Sequence, residues 1–112
     1  MGGEMARYLI VDSRDLTEYT GARFIQKAAG QLQSAGNEVT LFLIENGVIA
    51  ARKGSDLGAE IAALARGGVR VVVDDVSCSA RSITQFADGV ASSNIDHLAD
   101  LIVEGSDKVL WY

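Results

Sequence analysis

The sequence predicts an α/β protein: a three-layer α/β/α sandwich around a mostly parallel sheet of four to five strands. Three observations predict it. Short apolar runs recur at 7–12, 38–44, 69–75 and 108–112, each of strand length. Between them, apolar residues return at helical spacing. The connections are short, and strands joined through helices run parallel with right-handed crossovers.

Taken in order, RYLIVD at 7–12 is an apolar run ending in Asp, read as a buried strand. SRDLTEYT at 13–20 is polar and rich in capping residues. Ile25, Ala28, Ala29 and Leu32 then share one helical stripe, and Gly36 ends that helix, a common place for a left-handed residue. EVTLFLI is a second strand, followed by the turn-like Glu45-Asn46-Gly47; residues 48–54 fit no single element. Leu57, Ile61, Leu64 and Ala65 mark a second helix, closed by Gly67-Gly68. VRVVVDD is apolar enough to be covered on both faces. Ile83, Phe86, Ala87 and Val90 suggest a third helix. Ser93-Asn94-Ile95-Asp96 approximates a capping box, with Asp in the place of the usual Glu or Gln. Leu98, Leu101 and Ile102 continue a fourth helix to Gly105, and Lys108 to Tyr112 form the last strand.

The 112 residues fit one domain, 1–112, with 1–5 read as a disordered lead or an expression remnant. A chain of this size buries roughly two thirds of its unfolded surface, enough for one core without staples. No apolar run approaches the length of a membrane span, and the N-terminus lacks the pattern of a signal peptide or a myristoylation site. The net charge of −5, with ten scattered basic residues, argues against a nucleic-acid binder. A single cysteine forms no internal disulfide, so the expected compartment is the cytoplasm, with no membrane partner.

Ligands of open parallel sheets sit beyond the carboxyl ends of the strands, which singles out 12–20, 45–54 and 74–81. Cys78, the only cysteine, lies in VVVDDVSCSARS, read as just past the third strand and just before the third helix. A helix N-terminus there stabilises a thiolate, Arg81 adds positive charge, and Asp74 and Asp75 oppose it. The alternation of side chains along a strand lets at most one of the two aspartates face the cysteine. The plain alternative is a buried, inert thiol.

Several chemistries fail on spacing. A phosphatase loop needs Arg six places after Cys, where Thr84 stands, and no CxxC exists. His97, the only histidine, reads as a solvated helix residue rather than a base, and too few soft ligands exist for zinc. Asp12, Asp74 and Asp75 resemble the magnesium-binding acids of receiver domains, but the lysine expected after the last strand is absent; these acids read as caps. Thr17 to Gly21 is a loose match to a flavin phosphate loop. Arg52-Lys53-Gly54-Ser55 has the wrong order for a nucleotide loop. Trp111 and Tyr112 read as core or interface residues.

From Ala6 to Tyr112 the chain resembles the DsrE/DsrF/TusD-like sulfur-relay family, which includes YchN-like proteins. The resemblance rests on YLIVDS, LQSAGNEVTLFLIENGVIAA, LARGGVRVVVDDVSCSARS and LADLIVEGSDKVLWY. It implies a DsrEFH-like α/β sandwich that assembles as a trimer or hexamer. It also implies sulfane sulfur carried as a persulfide on Cys78 and exchanged with donor and acceptor proteins, without cofactor or metal. Ser77, Ser79, Arg81 and Asp75 are the expected supporting residues, and the loop GVIAARK within 45–54 is the expected cover. Some members pair this cysteine with a second one, where this chain has Asp75 and Ser77. Others lack the cysteine and serve as structural or binding subunits, so a non-catalytic oligomeric scaffold is the alternative. A small nucleotide- or flavin-binding protein is a third reading.

Overall fold

The structure, a computed structural model, describes residues 5–18 and 22–112. The chain forms β1 (Arg7–Asp12), α1 (Ala22–Ser34), β2 (Glu38–Leu43), a 3₁₀ strap (Glu45–Ala51), α2 (Gly58–Gly67), β3 (Arg70–Asp74), α3 (Asp75–Ala80), β4 (Ala91–Ser93), α4 (Ile95–Asp100) with a π turn (Leu101–Gly105), and β5 (Lys108–Trp111). The five strands lie in the order β4-β3-β2-β1-β5, and every pair is parallel.

This order explains where the helices go. The chain steps from β1 through β2 and β3 to β4 in one direction, then returns across the sheet to place β5 beside β1. Right-handed crossovers put helices of opposite stepping direction on opposite faces. One face accordingly packs α1, α2, the strap and α3 around Ile10, Leu41, Leu43, Val71 and Val73. The other packs α4 alone, through Leu98 and Leu101, on Leu9, Val11, Phe42 and Val72. Burial on both faces is the reason the central strands read as unbroken apolar runs.

The first helix ends as its sequence predicts. Gly36 takes φ +95°, and Asn37 N–H donates to the Leu32 carbonyl at 3.2 Å, which satisfies a helix-end acceptor. Residues 1–4 and 19–21 lie outside the described residues, and with them most of the lead and the end of the Thr17–Gly21 stretch.

Two expectations are corrected. The third helix is at Asp75–Ala80, immediately after β3, and not over Ile83–Val90. Asp74 caps it directly from the strand end. Ser82 at φ +55° closes it, with Ile83 N–H donating to the Cys78 carbonyl at 2.9 Å and Ser82 N–H to the Ser79 carbonyl at 3.2 Å. The stretch that follows, although apolar at helical spacing, is irregular and ties to the end of the strap and the residues after it. Ala87 N–H donates to the Ala51 carbonyl at 2.8 Å, and Lys53 N–H to the Gln85 carbonyl at 2.9 Å. Second, Asn94 rather than Ser93 caps α4: its Oδ1 accepts from His97 N–H at 2.9 Å. β4, only Ala-Ser-Ser, carries no apolar signal and was not foreseen.

Candidate functional site

The strand ends bring together the three segments that the sequence singled out. Asp74 ends β3 and its Oδ2 accepts from both Ser77 N–H, at 3.0 Å, and Ser77 Oγ–H, at 2.6 Å. Ser77 Oγ in turn accepts from Glu45 N–H at 2.9 Å, which fastens the start of the strap to α3. Arg81 makes the second fastening: its Nε and Nη2 donate to Asn46 Oδ1 at 3.1 and 2.9 Å, and its Nη1 donates to the Ser77 carbonyl at 3.0 Å. The strap thus covers α3, as expected for the 45–54 segment.

Beneath it, Cys78 is the fourth residue of α3 rather than a residue preceding it. It is 3% exposed and packs with Val73, Ile83 and the strap's Val48 and Ala50 in one apolar cluster. Burial pushes its thiol above the usual value, Asp74 and then Asp75 push in the same direction, and Arg81 alone pulls it down. Six residues of helix supply little dipole, and the Arg81 guanidinium is engaged by Asn46 and Ser77. In this closed arrangement Cys78 is a protected thiol.

The other supporting residues divide. Ser77 is buried and joins the strap, Asp74 and α3 in one network. Ser79 and Asp75 are exposed, and Asp75 Oδ1 accepts from Val76 N–H at 2.7 Å. The expectation that only one aspartate faces the cysteine side is met differently than drawn: Asp74 is the cap of Cys78's own helix, and Asp75 lies on the helix surface. Asn46, which receives Arg81, is a part of the site that sequence reasoning treated only as a turn; the signal was the Glu-Asn-Gly stretch directly after a strand end.

The competing sites do not assemble. Asp12 shares the side of β1 that carries Ile10, Asp74 lies in register with the opposite alternation, and Asp75 is exposed. No group of three or more His, Cys, Asp or Glu able to hold a metal occurs among the described residues. Lys108 stacks over Tyr8 at the amino ends of the strands, the far side from the acids. His97 is half-buried, its Nδ1 2.6 Å from Ser93 Oγ and its ring against Phe42, which makes it a packing residue of α4. Asp15 Oδ1 accepts from Thr17 N–H at 2.9 Å and Thr17 Oγ1–H at 2.7 Å, a local turn at the start of the Thr17–Gly21 stretch, the end of which lies outside the described residues. Lys53, Gly54 and Ser55 border an open groove of about 350 Å³ that Cys78 does not line. Ser55 Oγ–H donates to the Ala50 carbonyl at 2.5 Å, which makes it a brace for the strap's end. No helix among the described residues is long and apolar enough to cross a membrane.

Solved structures with the same fold include YchN from E. coli, 20% identical, with a TM-score of 0.81 over 97% of this chain and 100% of that one. A protein of unknown function from Methanobacterium thermoautotrophicum, MTH1491, is 16% identical, with a TM-score of 0.79 over 97% and 100%. A conserved protein of unknown function from Bacteroides thetaiotaomicron, BT1422, is 15% identical, with a TM-score of 0.80 over 96% and 95%. No curated protein matches the chain. The model of the DsrE/DsrF-like family matches residues 6–112. The strand-end cysteine, its strap and the all-parallel sheet are therefore those of a chain that belongs to the DsrE/DsrF-like family.

Proposed function

We propose that this protein accepts and donates sulfane sulfur through Cys78, as a homo-oligomeric sulfur carrier. The observation that carries the reading is a single thiol on the helix that directly follows β3, under a cover fastened by two polar contacts, in a DsrE-type frame. The Cys78 thiolate attacks the outer sulfur of a donor persulfide. The donor's S–S bond breaks, the donor leaves as a thiolate, and Cys78 becomes the persulfide. An acceptor thiolate then attacks the outer sulfur and releases Cys78 as thiolate. Sulfur moves with no net oxidation, so donor and acceptor thiols suffice. With Cys78 3% exposed, either exchange requires the strap to lift, which breaks the Glu45–Ser77 and Asn46–Arg81 contacts.

Assembly is supported by the edge strand β5, where Val109, Leu110 and Trp111 are exposed, and by the exposed Ile102 and Val103 of the π turn. An apolar edge strand whose outer side meets no further strand among the described residues is a template for a second chain.

The test is mass spectrometry after incubation with a persulfide or thiosulfate-type donor. A gain of about 32 Da on Cys78, absent from Cys78→Ser, is expected. No adduct under conditions where Cys78 is alkylated would sink the reading. The burial of Cys78 and its suppressed ionisation favour a second reading, a non-catalytic oligomeric scaffold, in which Cys78 stays inert to both donor and alkylating reagent.

A further inference from the structure

The strap rests on a second buried group that the sulfur chemistry does not use. Asp12, the last residue of β1, is fully buried. Its Oδ1 accepts from Arg14 N–H at 3.1 Å, and its Oδ2 has no hydrogen-bond partner. Its backbone carbonyl accepts from Ile44 N–H at 3.0 Å, just ahead of the strap. Gly47 of the strap lies directly on it: a Cβ there would stand 2.3 Å from the Asp12 carbonyl oxygen and 2.9 Å from Oδ2. Glycine alone lets the strap close over this carboxyl and exclude water from the orphan oxygen. The strap is also sprung, since Glu45 holds φ +51°, a conformation unfavourable for a residue with a Cβ.

We propose that Asp12 is a proton-dependent latch of the 45–51 strap: carrying a proton it tolerates the closed strap, and ionised it favours the strap lifting to let water reach Oδ2. The proposal rests on the reading of Cys78 as the working thiol only for its purpose, since the latch sets how often that thiol is uncovered. The groups facing Asp12 are few. Arg14 favours the anion and Asp15 disfavours it, both from the segment after β1; Tyr112, at the end of β5, stacks beneath Arg14; Glu45 of the strap is exposed. Burial outweighs them and raises the Asp12 carboxyl to about 6. In the open strap it returns toward its ordinary 3.8. Between those values the open form sheds its proton first, so opening becomes easier as pH rises, by up to about a hundredfold, and levels off above the closed-state value.

Hydrogen exchange on the intact protein, with no sulfur donor present, tests this. Protection of the Glu45 and Gly47 amides, corrected for intrinsic exchange, should fall by about 10- to 100-fold between pH 4 and pH 7. Amides of β2 should not follow. Asp12→Asn should flatten the pH dependence at the strap. A strap whose protection is constant across this range, or changes equally in Asp12→Asn, overturns the latch. Should Asp12→Asn not fold, carboxyl ¹³C titration of the wild-type protein decides: a midpoint near 6 for Asp12 supports the latch, and an ordinary aspartate midpoint overturns it. Because exchange reads the strap alone, failure of sulfur loading leaves this result intact, and a pH-independent strap leaves sulfur loading intact.

Discussion

Gly47→Ala puts a methyl group where the structure has no room for one. The atoms it meets are the Asp12 carbonyl oxygen at 2.3 Å and Oδ2 at 2.9 Å, and the first belongs to the backbone of β1, which is paired on both sides and whose Asp12 carbonyl accepts from Ile44 N–H, so it cannot swing away. The strap must move instead. Overpacking of this kind costs about 1–3 kcal/mol. Lifting the strap also strains or breaks the Glu45–Ser77 contact at 2.9 Å, worth about 1 kcal/mol net. Against this, replacing glycine restricts the unfolded chain and returns about 0.5 kcal/mol. The expected loss is about 2–3 kcal/mol, which at an m-value of ~1.2 kcal/mol/M lowers the urea midpoint by about 2 M. Alkylation of Cys78 under native conditions should accelerate in the same variant, because the strap is its cover. A midpoint within about 0.3 M of wild type, with unchanged Cys78 reactivity, would refute the idea that Gly47 is the close contact between strap and sheet.

Ser77→Ala removes the hydroxyl that joins Asp74 Oδ2 to Glu45 N–H; a loss of about 1–3 kcal/mol in chemical denaturation is expected, whereas Ser79→Ala, at an exposed position, should stay within about 0.5 kcal/mol. Arg81→Ala removes the charge that favours the Cys78 thiolate, so the pH profile of alkylation should move to higher pH; a move to lower pH would contradict the assigned electrostatics. Wild-type Cys78 itself should react more slowly near neutral pH than the same thiol in the urea-unfolded chain, because burial and Asp74 hold it protonated. Trp111→Asp places a charge on the apolar β5 edge; sedimentation should show a smaller species with an unchanged far-UV spectrum, and an unchanged mass would remove β5 from the assembly surface.

Most of the fold was legible because its signals are local. The strands at 7–12, 38–43 and 70–74 sit within the apolar runs read from sequence, and Gly36 and Gly67-Gly68 stop their helices. The misses share one cause. Ile83, Phe86, Ala87 and Val90 have helical spacing, yet Ile83 and Ala87 are buried, and Phe86 and Val90 half-buried, because the residues at 51–53 pair with 85–87, a contact between segments more than thirty residues apart. β4 exists only because β3 offers it a free edge; Ala-Ser-Ser has no strand signal of its own. The candidate site was found by the rule that strand ends hold ligands, which picked out Cys78, Arg81 and the 45–54 segment. Where the cysteine sits within its helix was not legible, because the Asp74 cap starts that helix at Asp75, eight residues before Ile83, where the apolar spacing implied it.

The sequence by itself determined the parallel α/β architecture, the single thiol and its place beyond the third strand, since apolar period, glycine stops and one cysteine are local properties of the chain. Only the tertiary structure decided that the thiol is closed. Its burial comes from the strap after β2 and the segment after α3, its reluctance to ionise from that burial and then from the aspartate that caps its own helix, and its cover from Gly47 of the strap meeting Asp12 of β1. Those contacts join residues far apart in the chain, and chain distance carries no record of them.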